Sequence, residues 1–336
     1  MKVAVVILNY NGSAMLAGFL PSVVKYSQGA EIVVADNASA DDSLAVLTER
    51  FPMVRIVALD RNYGFADGYN KALEQVDTDL IVLLNSDVEV CEGWLEPMQA
   101  LMEERADVVA CQPKILAYNR KTHFEYAGAA GGFLDRYGYP YCRGRLFDCV
   151  EADNGQYDDV TRIFWATGAA MMVRRDAFFD AGGFDGRFFA HMEEVDLCWR
   201  MLARGGAIYA VPQSKVYHVG AATLSKGNPH KTFLNFRNNL LMLYKNLPQN
   251  ELNGVMRMRL ILDYVAALKF LLTGSLGDFK AVLRARREYR RMRGEYSSVR
   301  KQNIAATVVP VIKERSAFSL LWQYYVKGKK HFLQLK

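Results

Sequence analysis

The sequence predicts an α/β fold: a doubly wound, mixed and mostly parallel sheet followed by a helical C-terminal extension. Three observations carry this prediction. Short apolar, β-favouring runs alternate with helical segments from residue 3 to residue 84. Each run closes on or just before Asn or Asp, at Asn9, Asp36, Asp60 and Asn85, so polar groups collect at one end of the strands. Charge is also divided: residues 251–336 hold 18 Lys/Arg against 6 Asp/Glu, a net of +12 within a chain of net +6, which leaves −6 on residues 1–250.

The elements follow in order. Val3 to Leu8 is continuous and apolar, as in a strand buried on both faces. Residues 13–27 have helical character. Glu31 to Ala35 is a second strand, and Asp41-Asp42-Ser43 gives the next helix the acidic start that its dipole favours. Val54 to Leu59 is a third strand. A polar loop and a helix to Gln75 lead to a fourth, Leu80 to Leu84, closed by Asn85-Ser86-Asp87. Residues 123–147, rich in Gly, Tyr and Arg, predict a hairpin or lid. Trp165 to Val173 has the pattern of a buried strand, Asp176 to Ala181 of a short helix, and Glu194 to Ala203 of a helix stopped by Gly205-Gly206. Ile208 to Val211 and Lys215 to His218 predict two short strands around Pro212. Residues 231–246 and 255–301 predict helices.

Composition sets limits. With 51% hydrophobic and 23% charged residues among 336, a large core can form and global disorder is excluded. No apolar run reaches the ~18 residues of a membrane-spanning helix. The apolar start ends at Asn9-Tyr10-Asn11-Gly12, too early for a signal peptide. Five cysteines without C-x-x-C spacing predict reduced thiols and argue against a zinc ribbon. The motifs of P-loop kinases, dinucleotide folds and H-E-x-x-H proteases are absent.

Several side chains can carry chemistry. Asp87, just past a strand end, suits a hard divalent cation, or it caps the next helix. Glu193, Glu194 and Asp196 place three carboxylates in four residues at a helix start, where Glu193 and Glu194 are expected to open to the pocket. Such a group can take a proton from a hydroxyl, or it can merely satisfy the helix dipole. His218 fits a metal or phosphate ligand or a structural histidine. Arg237 fits a phosphate contact or a salt bridge. Trp165 fits stacking on a sugar ring or core packing.

Taken in order, these segments resemble the family 2 glycosyltransferases of the GT-A fold, and most closely the bacterial rhamnosyltransferase-like branch. The matching stretches are Val5 to Gly12, Ile32 to Ser39, Asn62 to Ala66, Leu83 to Asp87, Gly168 to Arg175 and Phe184 to Arg200, and they span about residues 3–245. The resemblance implies a nucleotide-diphospho-sugar transferase fold. Residues 1–250 form its catalytic domain, with a nucleotide-binding half at 1–105 and an acceptor half at 106–250. Residues 251–336 form the basic helical extension.

The resemblance also assigns roles. Asn9, Tyr10 and Asp36 hold the base and ribose, with Asn11 and Asn37 also in the nucleotide-sugar site. Arg61, Asn62 and Gly64 line the nucleotide and diphosphate, Asn85, Ser86 and Arg237 complete the nucleotide-sugar site, and Trp165 sits near the sugar or acceptor. Asp87 is the last position of a D-x-D metal motif whose first position is Asn85 here, and with His218 it holds Mg²⁺ or Mn²⁺. Glu194 occupies the position of the base, where the family more often has Asp. Glu193 and Asp196 are the alternatives. The implied reaction inverts the anomeric carbon. It moves a sugar from dTDP-rhamnose or a UDP-hexose to a saccharide or polyprenol-diphosphate-linked acceptor of a surface polysaccharide. Transfer to polyprenyl phosphate and a non-catalytic scaffold are the alternatives. A sugar-phosphate nucleotidyltransferase is disfavoured, because the loop after the first strand has no basic residue.

The basic extension predicts contact with an anionic membrane surface, which places the enzyme on the cytoplasmic face of the cell membrane. Packing on the body or at a homodimer interface is the alternative. Nucleic acid is not expected, because no recognised binding module accompanies the basic run.

Overall fold

Alternation within the first strands sets up the layers. In a computed structural model that describes residues 1–220 and 228–335, β1 (Val3–Asn9), β2 (Glu31–Asp36), β3 (Arg55–Ala58) and β4 (Leu80–Asn85) pair in parallel in the order β4-β1-β2-β3. Val3, Val5 and Ile7 point to one face. There they meet Leu16, Leu20 and Val23 of α1 (Ser13–Tyr26) and Leu47 of α2 (Ser43–Arg50). Ala4 and Val6 point to the other face, against Ala66, Tyr69 and Leu73 of α3 (Gly64–Leu73). Both faces are covered, so the strands are apolar throughout. Each buried Val or Leu contributes about 1.5–3 kcal/mol.

The sheet continues beyond β4 with mixed direction. β5 (Val88–Val90) follows at once, and α4 (Glu96–Glu104) leads to β6 (Val108–Ala117) and β7 (Arg120–Phe124). The smaller β8 (Gly132–Leu134), β9 (Pro140–Cys142), β10 (Arg145–Leu146) and β11 (Cys149–Val150) make a separate antiparallel sheet, where the sequence predicts a hairpin or lid. β12 (Thr161–Arg162), β13 (Ala170–Arg174) and β14 (Ala207–His218) complete the large sheet, with α5 (Arg175–Asp180) and α6 (Glu193–Ala203) between the last two.

Two boundaries differ from the sequence reading. The two strands expected around Pro212 are one strand, whose register against β6 slips between Val211 and Lys215. Pro212 has no N–H to donate, and the irregularity absorbs it. The buried strand expected from Trp165 begins only at Ala170, because residues 165–169 turn across the end of β4, where Asn85 N donates to Ala169 O at 3.0 Å.

The C-terminal helices are α7 (Pro229–Asn246), α8 (Gln249–Leu272), α9 (Leu276–Met292) and α10 (Ser297–Ala305). They pack on the body. Arg300 donates to Tyr244 O and Leu247 O, and Leu320 N donates to Asp135 Oδ2 at 2.8 Å. Among the described residues no helix is long and apolar enough to cross a membrane.

Candidate active site

Strand order places the site. Chain direction reverses sides at β1, with β2 on one flank and β4 on the other, and this opens a crevice at the carboxyl ends of the strands. The loops after β1, β2 and β4 meet there. Asn9 Nδ2 donates to Asp36 Oδ2 at 3.0 Å and to Ser39 Oγ at 3.2 Å, and Ser39 N donates back to Asp36 Oδ1. Asn11, at φ 50°, accepts from Ala40 N and so binds the first loop to the second. Asn37 ties in the third: its amide donates to Asn62 Oδ1 and Gly64 O, while Tyr63 N donates to its carbonyl. Gly12 lies against Asn9 and within reach of Ser86, so a larger residue there would push the loops apart.

Asn9, Asp36 and Asn37 are thus buried and braced, whereas Tyr10, Arg61 and Asn62 stand exposed at the rim, with Arg61 4.7 Å over the Tyr63 ring. The geometry brings these residues into one crevice with Asn85, Ser86 and Asp87.

The opposite wall is built by β14. His218 pairs across to Val88, and Val219 N donates to Asp87 O, so the turn after β4 and the end of β14 are locked together. His218 Nε2 lies 3.1 Å from Asp87 Oδ1 and 3.3 Å from the Asn85 amide. Its Nδ1 lies 3.3 Å from Glu125 Oε2. Burial pushes the imidazole pKa down, but Asp87 and Glu125 more than reverse this and raise it to about 9. The pair of carboxylates therefore favours a positive charge at this spot.

These residues fit a divalent cation. An oxygen and an imidazole nitrogen converge, and a second carboxylate backs the ring as metal-bound histidines require. Among the described residues no group of three or more such side chains forms a cage, so the remaining positions would belong to diphosphate oxygens and water. Glu125 lies outside every motif in the sequence. It stands at the end of β7, and only the sheet brings it behind His218.

A third wall is the loop from Asp185 to Glu194. Phe189, His191 and Met192 all have positive φ, at 65°, 69° and 73°, an uncommon backbone for such side chains. The loop is held from several sides. Phe189 O accepts from Phe65 N, and the Phe189 ring covers Gly64, where an added Cβ would lie 2.6 Å from it. Arg237 donates to Arg187 O and Phe188 O, and the Asn238 amide reaches Phe188 O, Ala190 O and His191 O.

That strained loop delivers Glu193 and Glu194. Glu193 is buried rather than open to the crevice as the sequence suggested, and Glu194 is half-buried. Neither Oε2 atom has a hydrogen-bond partner among the described residues. Burial raises both carboxyl pKa values, with the Glu194 charge adding to the effect on Glu193. Backbone N–H groups at the helix start restrain Glu194, which is pushed up to about 7.

Three candidates leave the direct line of contact. Asp196 is fully buried and saturated: Arg200 Nε and Lys245 Nζ hold Oδ2 at 3.0 and 2.8 Å, and the Asn246 amide holds Oδ1 at 2.8 Å. Burial alone would raise its pKa, but Lys245 and Arg200 outweigh that and lower it. Asp196 is therefore a structural anion, not an alternative base. Trp165 is 5% exposed, packs on Gly132 and donates from Nε1 to Phe133 O at 3.0 Å, so the core reading applies. Arg237 commits Nη2 to the loop carbonyls Arg187 O and Phe188 O and Nε to Asn238 Oδ1, so it positions the loop.

The family model described as glycosyl transferase family 2 matches residues 4–142. The N-acetylglucosaminyl-diphospho-decaprenol L-rhamnosyltransferase of Mycobacterium tuberculosis strain H37Rv is 24% identical over 229 residues, covering 64% of this chain and 75% of that protein. Among solved structures, GalNAc-T7 with UDP, GalNAc and Mn²⁺ superposes with a TM-score of 0.65 at 16% identity, covering 97% of this chain and 56% of that one. This chain thus spans little more than half of that structure. A mannosyltransferase from Pyrobaculum calidifontis with GDP-Man and Mn²⁺ gives a TM-score of 0.51 at 13% identity, covering 91% of this chain and 85% of that one. The likeness to solved structures is one of fold.

Proposed function

We propose that this chain, a glycosyltransferase of the GT-A fold whose residues 4–142 match the family 2 model, moves the sugar of dTDP-rhamnose or a UDP-hexose onto a saccharide or lipid-linked saccharide during surface polysaccharide synthesis, with inversion and release of the nucleoside diphosphate. The observation that carries the reading is the pairing of two unlike carboxylate sites on one crevice. Asp87 stands beside His218, and Glu194 has an unpartnered oxygen and a raised pKa. The relatedness to a rhamnosyltransferase acting on a diphospho-decaprenol supports the acceptor class.

The residues divide the work. Asp36, braced by Asn9 and Ser39, presents a fixed carboxylate to the base and ribose. Arg61 and Asn62 at the rim face the diphosphate, with Gly64 giving it backbone access. Asp87 and His218 would hold a divalent cation, which when bound supplies charge neutralisation at the departing diphosphate. Glu194 accepts the proton of the acceptor hydroxyl as that oxygen attacks the anomeric carbon. A single base without a second carboxylate nucleophile gives inversion. General-base help of this kind is worth about 10²–10⁴-fold.

Thermal unfolding with UDP, dTDP and GDP, each with and without Mn²⁺ or Mg²⁺, tests the reading. One nucleotide is expected to stabilise the protein, and more strongly with metal. At 100-fold saturation the gain is about 2.7 kcal/mol. No shift with any nucleotide overturns the donor assignment.

A further inference from the structure

Helix α8 is built inside out. Its inward face carries Arg259 and Asp263, both buried, with Arg259 Nη2 3.1 Å from Asp263 Oδ1 and Arg286 Nη1 2.6 Å from Asp263 Oδ2. Arg259 also donates to Tyr137 O at 2.9 Å and to Asn239. Its outward face carries Leu260, Ile261, Val265, Leu268 and Leu272, whose spacing puts them on one side of the helix. Ile261, Val265 and Leu272 are 57%, 59% and 78% exposed. A solvated helix has the opposite arrangement.

The aliphatic stripe does not stand alone. Trp322 and Tyr325, on the short helical turn Trp322–Val326, are each 56% exposed. Lys269 lies 5.4 Å from the Tyr325 ring, which places that turn beside α8. Lys269 on α8, Lys280, Arg284 and Arg287 on the following α9, and Lys327 just after the turn are all exposed. Aliphatic side chains flanked by Trp, Tyr and a cationic rim make up the side-chain set of a bilayer interface.

We infer that the outer face of α8, with the Trp322–Val326 turn, seats the protein on the surface of an anionic bilayer. Charge selects this occupant over a second copy of the chain. Residues 251–336 carry a net +12, so self-association through this face would bring like charges together, whereas an anionic surface neutralises them. The chain lies on the membrane and does not span it, since among the described residues no helix is long and apolar enough to cross.

The seat is linked to the crevice through α7. Gly277, at the α8–α9 corner beside Leu272, packs on Pro229, where an added Cβ would lie 2.6 Å from the ring, and Thr232 Oγ1 donates to Asp278 at 2.6 Å. Pro229 opens α7 eleven residues after His218. The apolar corner therefore packs on the start of α7, the helix whose Arg237 and Asn238 hold the loop of the third wall. A sugar linked to a lipid diphosphate at the bilayer surface approaches the crevice from that side. This last step rests on the acceptor reading above, whereas the seating itself does not.

The test uses the full chain with vesicles of phosphatidylcholine alone, or of phosphatidylcholine and phosphatidylglycerol in equal parts. Co-sedimentation is expected with the anionic vesicles and is weakened by high salt. The double variant Val265→Glu, Leu268→Glu is expected to lose at least about tenfold in vesicle affinity while its UDP or dTDP binding, read in the same samples, is unchanged. Both side chains are exposed, so folding is preserved. Equal binding of the variant, or no binding of the native chain, overturns the seat. So does a native dimer that the variant makes monomeric without any vesicle effect. Lost nucleotide binding with vesicle binding retained overturns the donor reading and leaves the seat standing.

Discussion

Two clusters of carboxylates, one at the end of β4 and one at the start of α6, are electrostatic opposites. At the end of β4, Asp87 and Glu125 flank His218 and raise its pKa to about 9. At the start of α6, Glu193 and Glu194 have no cation against them, and burial raises their own pKa values. The first cluster is built to hold positive charge and the second to hold a proton. Two residues further along α6, Asp196 shows what a compensated carboxylate looks like, with Arg200, Lys245 and Asn246 on its oxygens. The functional difference between neighbouring acids lies in their partners and not in their residue type.

The sharpest way to break this comparison is Glu194→Gln. If Glu194 is the proton acceptor, kcat falls by about 10²–10⁴ while nucleotide binding is retained. Glu193→Gln is expected to cost less. The native pH–rate profile follows from the same group. The base form is required, so kcat/KM falls as pH drops below about 7. The stability sign is opposite to that of a salt-bridged acid. The folded pKa lies above the ordinary 4.5, so the folded state holds more protons between 4.5 and about 7, and stability declines as pH rises through that window. Glu194→Gln flattens that decline. Unchanged turnover in the variant removes Glu194 as the base.

Asp196→Ala tests the other side of the distinction. It leaves Arg200 and Lys245 buried without their shared partner, and the loss expected is about 3–5 kcal/mol of unfolding free energy. Urea denaturation measures it. Remaining folded protein is expected to keep its nucleotide affinity. Native-like stability with lost turnover would make Asp196 chemical and reverse its assignment.

The sheet was legible in the sequence because its strands are buried on both faces and their ends are polar. Val3 to Leu8 and Leu80 to Leu84 can scarcely be read otherwise, and Asn9, Asp36, Asn37 and Asp87 collect where strand ends predict. What stayed hidden depends on tertiary partners. Asp196 and Glu194 look alike in sequence, since Lys245 and Asn246 come from a helix some fifty positions away. Trp165 looked available because nothing local shows that Gly132 leaves room for its ring. The α8 stripe was visible only as a dense apolar stretch. Its outward direction emerges once Arg259 and Asp263 are seen facing in.

Glu125→Gln gives the smallest expected effect and the finest test. Besides the His218 ring, Glu125 accepts from Ala127 N at 2.5 Å, lies against Gly220 and adds to the negative field at Arg145. Among the described residues its link to Asp87 runs through the His218 ring. Glutamine keeps the size and can still accept a hydrogen bond, but it removes the charge that orients the imidazole and makes it a better donor to a cation. Loss of such a supporting carboxylate typically lowers metal affinity 10–100-fold. Titrating Mn²⁺ by calorimetry into the native and variant proteins reads this without turnover, and Asp87→Asn in parallel sets the scale of losing a direct ligand. Native Mn²⁺ affinity in Glu125→Gln would mean that Asp87 alone organises the cation wall. The two clusters would then differ only in the presence of one histidine.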